Sequence, residues 1–88
     1  MNKHLSFRDK GFGDYLYWQT GDRKILKRIN RLIQDIDRNG NDGIGKPEPL
    51  KHDLHGWWSR RIDDEHRLIY RVIDDEILIA ACRFHYDD

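Results

Sequence analysis

Eight side chains in this 88-residue sequence have the types that acid–base chemistry on a phosphodiester requires: Glu48, His52, His55, His66, His85, Tyr86, Arg61 and Arg67. Such a reaction needs a base to take a hydroxyl proton and an acid to protonate the leaving oxygen. It also needs cations to balance the charge that builds on the phosphoryl oxygens. RNA brings its own nucleophile, the 2′-OH. Other chemistries fit less well. One cysteine and scattered histidines without paired spacing do not make a metal-ligand pattern, so neither a metal nor a cofactor is expected. A glycine-rich phosphate loop and a serine elbow are both absent from the sequence. Taken singly, each of the eight is weak evidence, since such a residue is far more often an ordinary loop, strand or terminal one.

Their arrangement depends on the stretch from Trp57 to Tyr86, which reads as three strands. Trp57–Ile62, Arg67–Ile73 and Ile77–Phe84 are rich in β-branched, aromatic and aliphatic residues, and Asp63-Asp64-Glu65 and Asp74-Asp75 separate them at hairpin spacing. If Ile62 faces His66 across the first turn, Arg61 faces Arg67 and Ser59 faces Ile69. If Ile73 faces Glu76 across the second, Arg71 faces Leu78 and Arg67 faces Cys82. Side chains alternate between faces, so one face carries Trp58, Ile62, Leu68, Tyr70, Val72, Ile77, Ile79 and Ala81. The other carries Ser59, Arg61, Arg67 and Arg71 among Ile69, Ala80, Cys82 and Phe84. Like charges directly opposite disfavour pairing. Either an anion belongs between Arg61 and Arg67, or acidic neighbours such as Glu65 neutralise them; spacing alone does not choose.

The first half must supply a cover for the apolar face. His4–Phe7 reads as a short edge strand, and Ser6 with Asp9 three residues on resembles a helix cap. Phe12, Tyr15, Leu16 and Gln19 share one face of the helix that follows, with Gly11 and Gly13 weakening its start. Thr20-Gly21-Asp22 breaks it. Ile25, Ile29, Leu32, Ile33 and Ile36 then recur at three- and four-residue steps, the strongest helical pattern in the chain. Residues 39–49 form a loop rich in glycine and proline, with Glu48 held on stiff backbone between Pro47 and Pro49. Leu50–Leu54 reads as a short strand.

Length gives one domain, residues 1–88, with a modest core. Sixteen basic residues balance sixteen acidic ones, so there is no global field for nucleic acid and a basic site must come from local segregation. The lone Cys82 is expected to be a small buried hydrophobe. The N-terminal segment has no apolar run, so a cytoplasmic protein with no membrane contact is expected.

The residues GKPEPLKHDLHGWWSRRIDDEHRLIYRV, LIAACRFHY and, upstream, DYLYWQ closely resemble the YoeB toxins of the RelE superfamily. The resemblance covers nearly the whole chain. It implies a compact single-domain α+β fold, two N-terminal helices on a mostly antiparallel twisted sheet. It further implies a ribosome-dependent endoribonuclease that cuts mRNA in the A site. Carried over position by position, Glu48 matches the family's proposed general base and Arg67 the arginine that stabilises the scissile phosphate. His85 matches the general acid and Tyr86 the tyrosine that helps place the substrate base. Lys51 and Arg61 match supporting basic positions near the RNA. The implied partners are a YefM-type antitoxin, the ribosome and mRNA, and operator DNA only through the antitoxin complex; the family also includes homodimeric toxins. The rival readings are a toxin-like module that binds ribosome or antitoxin without cutting, and a co-repressor of its own operon.

Two features strain the resemblance. Strict alternation puts His85 on the face opposite Arg67, so the last strand must twist, bulge or end near Phe84 for the two to converge. The chain also continues past His-Tyr with Asp87-Asp88, two carboxylates that would repel RNA somewhat, so cleavage is expected to be retained but weakened.

Overall fold

In the computed structural model, which describes residues 1–84, the apolar repeat from Ile25 to Ile36 forms a 17-residue helix, α2 (Arg23–Asn39). Asp22 starts it, its carboxylate accepting from the Lys24 and Ile25 amides that the first turn leaves unpaired. Ile29, Leu32, Ile33 and Ile36 are buried, as the period requires.

The preceding helix, α1 (Asp9–Gln19), departs from expectation at both its start and its face. Ser6 does not cap it; Ser6 lies in the edge strand β1 (His4–Phe7), and Arg8 holds the cap position without a side-chain bond. Gly11, Asp14 and Trp18 turn inward, whereas Phe12 and Leu16 are 50% and 44% exposed. Polar contacts make that inward face. Trp18 Nε1 donates to the Cys82 carbonyl at 2.9 Å, and Asp14 Oδ2 accepts the Cys82 amide at 3.0 Å. At Gly11 the helix presses so close to the sheet that an added Cβ would stand 2.5 Å from the Ile79 carbonyl oxygen.

Five strands form one sheet in the order β1-β5-β4-β3-β2, with β2 (Glu48–Pro49), β3 (Trp58–Arg61), β4 (Arg67–Ile73) and β5 (Glu76–Ala81). Only β1 against β5 is parallel. The fold is α+β, two helices on a mostly antiparallel sheet. The first hairpin register is the expected one, Arg61 opposite Arg67 and Ser59 opposite Ile69. So is the start of the second, Ile73 opposite Glu76 and Arg71 opposite Leu78. Asp63 helps to set the first turn by accepting the Glu65 and His66 amides. Asp74, at φ 54°, takes a left-handed conformation that a short polar side chain tolerates.

The second register then slips. Tyr70 pairs with Ile79 but Ile69 pairs with Ala81, so Ala80 is an extra residue in β5. The bulge exchanges the expected faces of the next two residues. Ala81 packs with Leu50, Trp57 and Ile69, while Cys82 packs with Trp18 and the α2 isoleucines. Arg67 consequently does not face Cys82; its amide donates to the Phe84 carbonyl at 2.8 Å. The strand also ends at Ala81 rather than Phe84, because side chains replace ladder partners there. Asp14 takes the Cys82 amide and His66 the Phe84 amide.

Leu50–Leu54 is not a strand. Pairing is confined to Glu48 and Pro49 on the sheet edge, where a proline without a donor is tolerated, and His52–Leu54 form a single 3-10 turn. The Leu50 amide closes on the Trp57 carbonyl at 2.9 Å. That turn covers the smaller core cluster of Leu50, Trp57, Ile69 and Ala81, on the sheet face away from the helices.

A charge holds the loop ahead of Glu48. Arg60 alternates onto the helix-covered face and is fully buried. Its guanidinium donates to Asp35 Oδ2 at 2.5 Å and to the carbonyls of Ile44 (3.0 Å), Gly40 (2.6 Å) and Asp42 (3.3 Å), and its Nε donates to the Tyr70 hydroxyl at 3.2 Å. Loop carbonyls that would otherwise face solvent are thereby gathered round one cation. The Arg61 amide adds a bond to the Gly45 carbonyl at 2.7 Å.

Candidate functional site

Antiparallel neighbours that stand directly opposite share a face, so the register alone aligns the candidates. Glu48 pairs with Ser59 and Ser59 with Ile69; Arg61 pairs with Arg67 two positions along. Glu48, Arg61 and Arg67 therefore project from the helix-free face of three adjacent strands. Two strand spacings and two residues separate Glu48 from Arg67, roughly 10 Å across the strands and 7 Å along them. Long side chains reaching from both ends leave room for one nucleotide linkage.

The arginine pair is the electrostatic feature of this face. Among the described residues neither Arg61 nor Arg67 forms an ion pair with a carboxylate. Glu65, the expected neutraliser, stands instead 3.7 Å from His66 Nε2. Arg67 Nη1 is held by two carbonyls, Asp63 at 2.6 Å and His66 at 3.0 Å. Carbonyls fix the guanidinium in place without cancelling its charge. Among the described residues, two facing cations left in this state favour the anion-binding alternative over neutralisation by Glu65.

Lys51 is exposed just beyond β2, three residues after Glu48, at the start of the 3-10 turn. His52 and His55 are exposed on that turn. His66 is different: it is 7% exposed and bonded through Nδ1. His85, Tyr86 and the Asp87-Asp88 extension lie outside the described residues. The bulge at Ala80 and the end of β5 at Ala81 are nevertheless the irregularities that strict alternation required before a residue near position 85 could share a site with Arg67.

The sheet also bears an open groove of about 580 Å³, lined by Arg8, Asp9, Lys10, Leu54, Trp57, Ile69 and Ala80. The guanidinium of Arg8 lies 5.2 Å and that of Arg71 4.3 Å from the centre of the Trp57 ring, and Asp9 lines the groove beside Arg8, so its polar rim carries both signs of charge. Among the described residues no group of three or more His, Cys, Asp or Glu is placed to hold a metal ion. No helix among them is long and apolar enough to cross a membrane.

Sequence reasoning did not anticipate Arg60, Asp14 or Trp18 as the groups that hold the site's framework. Asp14 and Trp18 lie within DYLYWQ, so a signal was present, but their polar bonds to Cys82 leave no trace in hydropathy.

Comparison with known proteins gives one consistent result. Residues 7–86 match a family model described as a YoeB-like toxin of a bacterial type II toxin-antitoxin system. The toxin YoeB of Escherichia coli (strain K12) is 58% identical over 82 residues, 93% of this chain and 98% of that protein. The YoeB dimer from Staphylococcus aureus superposes with a TM-score of 0.92 at 50% identity, covering 98% of this chain and all of that one. The heterotetrameric YoeB-YefM complex from the same organism superposes with a TM-score of 0.90, also at 50% identity and with the same 98% and 100% coverage.

Proposed function

The chain belongs to the YoeB-like toxins of bacterial type II toxin–antitoxin systems, and on that premise we propose that it is a ribosome-dependent endoribonuclease that cleaves mRNA in the A site. The observation that carries this reading is the facing Arg61–Arg67 pair, which has no carboxylate partner among the described residues, with Glu48 on the neighbouring strand of the same face. In the proposed reaction Glu48 takes the proton of a 2′-OH. The 2′ oxygen attacks the adjacent phosphorus, and Arg67, supported by Arg61 and Lys51, balances the charge gathering on the phosphoryl oxygens. His85 protonates the departing 5′ oxygen, and Tyr86 helps to place the substrate base. The products are a 2′,3′-cyclic phosphate and a 5′-hydroxyl. No metal or cofactor enters the scheme.

The Staphylococcus aureus relative is described as a dimer and as a complex with YefM. We extend both to this chain: a YefM-type antitoxin as its partner, and self-association as a homodimer. Balanced charge and the absence of a DNA-reading motif from the sequence make operator contact a property of the antitoxin complex. A cytoplasmic site of action follows from ribosome dependence.

The test is to incubate the protein with an mRNA, with and without programmed ribosomes, and to map 5′ ends and identify the 3′ termini. Ribosome-dependent cuts ending in cyclic phosphate support the reading. Translation that stops with the mRNA intact supports the binding-module alternative instead.

A further inference from the structure

His66 has the chemistry of a general acid or base but is placed where it can serve as neither. It is almost fully buried, its ring edge-on to Trp18 at 4.9 Å and against Phe84 at 5.7 Å. Its Nδ1 accepts the Phe84 amide at 2.7 Å, so that nitrogen must present a lone pair and the ring proton must sit on Nε2. The next residue completes the hold, because the Arg67 amide donates to the Phe84 carbonyl at 2.8 Å. Both peptide groups of Phe84 are thus fixed by consecutive residues at the start of β4. Phe84 needs that support: its φ of 64° is left-handed, costly for an aromatic residue unless the surroundings impose it. Arg83, with its guanidinium 3.6 Å from the centre of the Tyr17 ring and 4.6 Å from that of Phe84, braces the same turn.

The chain leaves this clamp directly into His85 and Tyr86. We infer that His66 is a positioning residue: by accepting the Phe84 amide at Nδ1 it holds in place the residue that precedes the His85-Tyr86 pair in the sequence. The inference rests on the proposed catalytic role of that pair. It assigns His66 no contact with substrate, and it makes the neutral, Nε2-protonated ring the working form. Arg67 then has two duties, a side chain toward the phosphate and an amide that ties the same strand position to the turn before His85.

The experiment compares His66→Asn, whose side-chain oxygen can stand where Nδ1 does, with His66→Phe, which keeps a ring beside Trp18 but offers no acceptor. Single-turnover cleavage on programmed ribosomes is expected to show kcat lowered about 10- to 100-fold in His66→Phe with KM unchanged, the size that a small misplacement of a reacting group produces. His66→Asn should recover to within about threefold of wild type. Equal rates in wild type and His66→Phe, a KM effect in place of a kcat effect, or an Asn variant as impaired as Phe would each overturn the assignment. Amide hydrogen exchange at Phe84 gives a readout independent of activity. Protection in wild type and Asn with loss in Phe supports the clamp, and equal exchange in all three removes it. Should wild type cut nothing while that exchange pattern holds, the nuclease reading fails and the clamp stands.

Discussion

Removing the buried guanidinium of Arg60 should be among the most damaging single changes outside the candidate site. In Arg60→Met the Asp35 carboxylate, the Tyr70 hydroxyl and the carbonyls of Gly40, Asp42 and Ile44 all lose their shared donor at once. Breaking a buried pair by removing one partner costs about 3–5 kcal/mol; Arg60 is fully buried, but the Asp35 side chain left behind is 17% exposed, so solvent recovers part of this and the lower end of the range applies. A domain of this length has about 4–13 kcal/mol in total, so the variant loses about a quarter of its stability at the least. At roughly 4–8 °C per kcal/mol its Tm should fall by no less than about 12 °C. Urea unfolding followed by tryptophan fluorescence reads the loss directly, with the m-value checking that the transition remains two-state. Arg60→Lys should fall between wild type and Met, since an ammonium retains the charge but cannot span five acceptors. A loss below about 1 kcal/mol in Arg60→Met, with m unchanged, would refute the idea that this cation organises the 40–46 loop.

Three further outcomes follow from particular contacts. Gly11→Ala should destabilise by about 1–3 kcal/mol despite alanine's better helix propensity, because its Cβ meets the Ile79 carbonyl. Gly13→Ala, with nothing within 4 Å of the new Cβ, should stabilise by about 0.5–1 kcal/mol; thermal melts of the pair check both. Burial, with the Asp14 carboxylate adding to it, pushes the Cys82 thiol up to about 12, so at neutral pH it should react with iodoacetamide only through opened chains, in proportion to the fraction unfolded. A second-order rate under native conditions close to that of the urea-unfolded chain would contradict that. The Asp35 carboxyl is raised by burial but lowered further by its bonds from Arg60, Ile44 and Asn39, so its folded value lies below the ordinary one near 4. The stability it contributes is therefore complete above about pH 4 and lost as pH falls through the lower folded value, with Asp37, held by the Lys3 and Asn2 amides, adding in the same direction. Acid titrations of unfolding should be shallower below pH 4 in Asp35→Asn than in wild type, and equal slopes would exclude Asp35 as a source of acid sensitivity.

Much of the fold was legible because side-chain type and spacing coincided with structure. The α2 stripe and the first hairpin register needed only period 3.6, period 2 and two acidic turns. The bulge at Ala80 was not legible, since Ile77 to Cys82 is apolar on both faces and a one-residue slip leaves no change of polarity to read. Arg60 was hidden for the opposite reason: an arginine on an apolar strand face looks like an error until Asp35, 25 residues earlier, and three loop carbonyls are found around it. The inward face of α1 escaped because a glycine, an aspartate and a tryptophan carry no hydropathy signal. Leu50–Leu54 looked like a strand from its flanking leucines, yet His52 at φ 54° turns the backbone out of the sheet. For the site, alternation placed Arg61 opposite Arg67 and the structure agrees, whereas the roles given to Glu48, Lys51, His85 and Tyr86 came from family resemblance.

The central claim is acid–base cleavage of ribosome-bound mRNA by Glu48 and His85. Its most direct test is in-vitro translation with wild type, Glu48→Ala and His85→Gln, cut sites being read by primer extension. The account predicts defined, ribosome-dependent cuts from wild type that collapse in both variants while folding and antitoxin binding persist. Translation arrest of equal strength in all three proteins, with no cuts in any, would contradict it and leave a toxin that acts by binding alone.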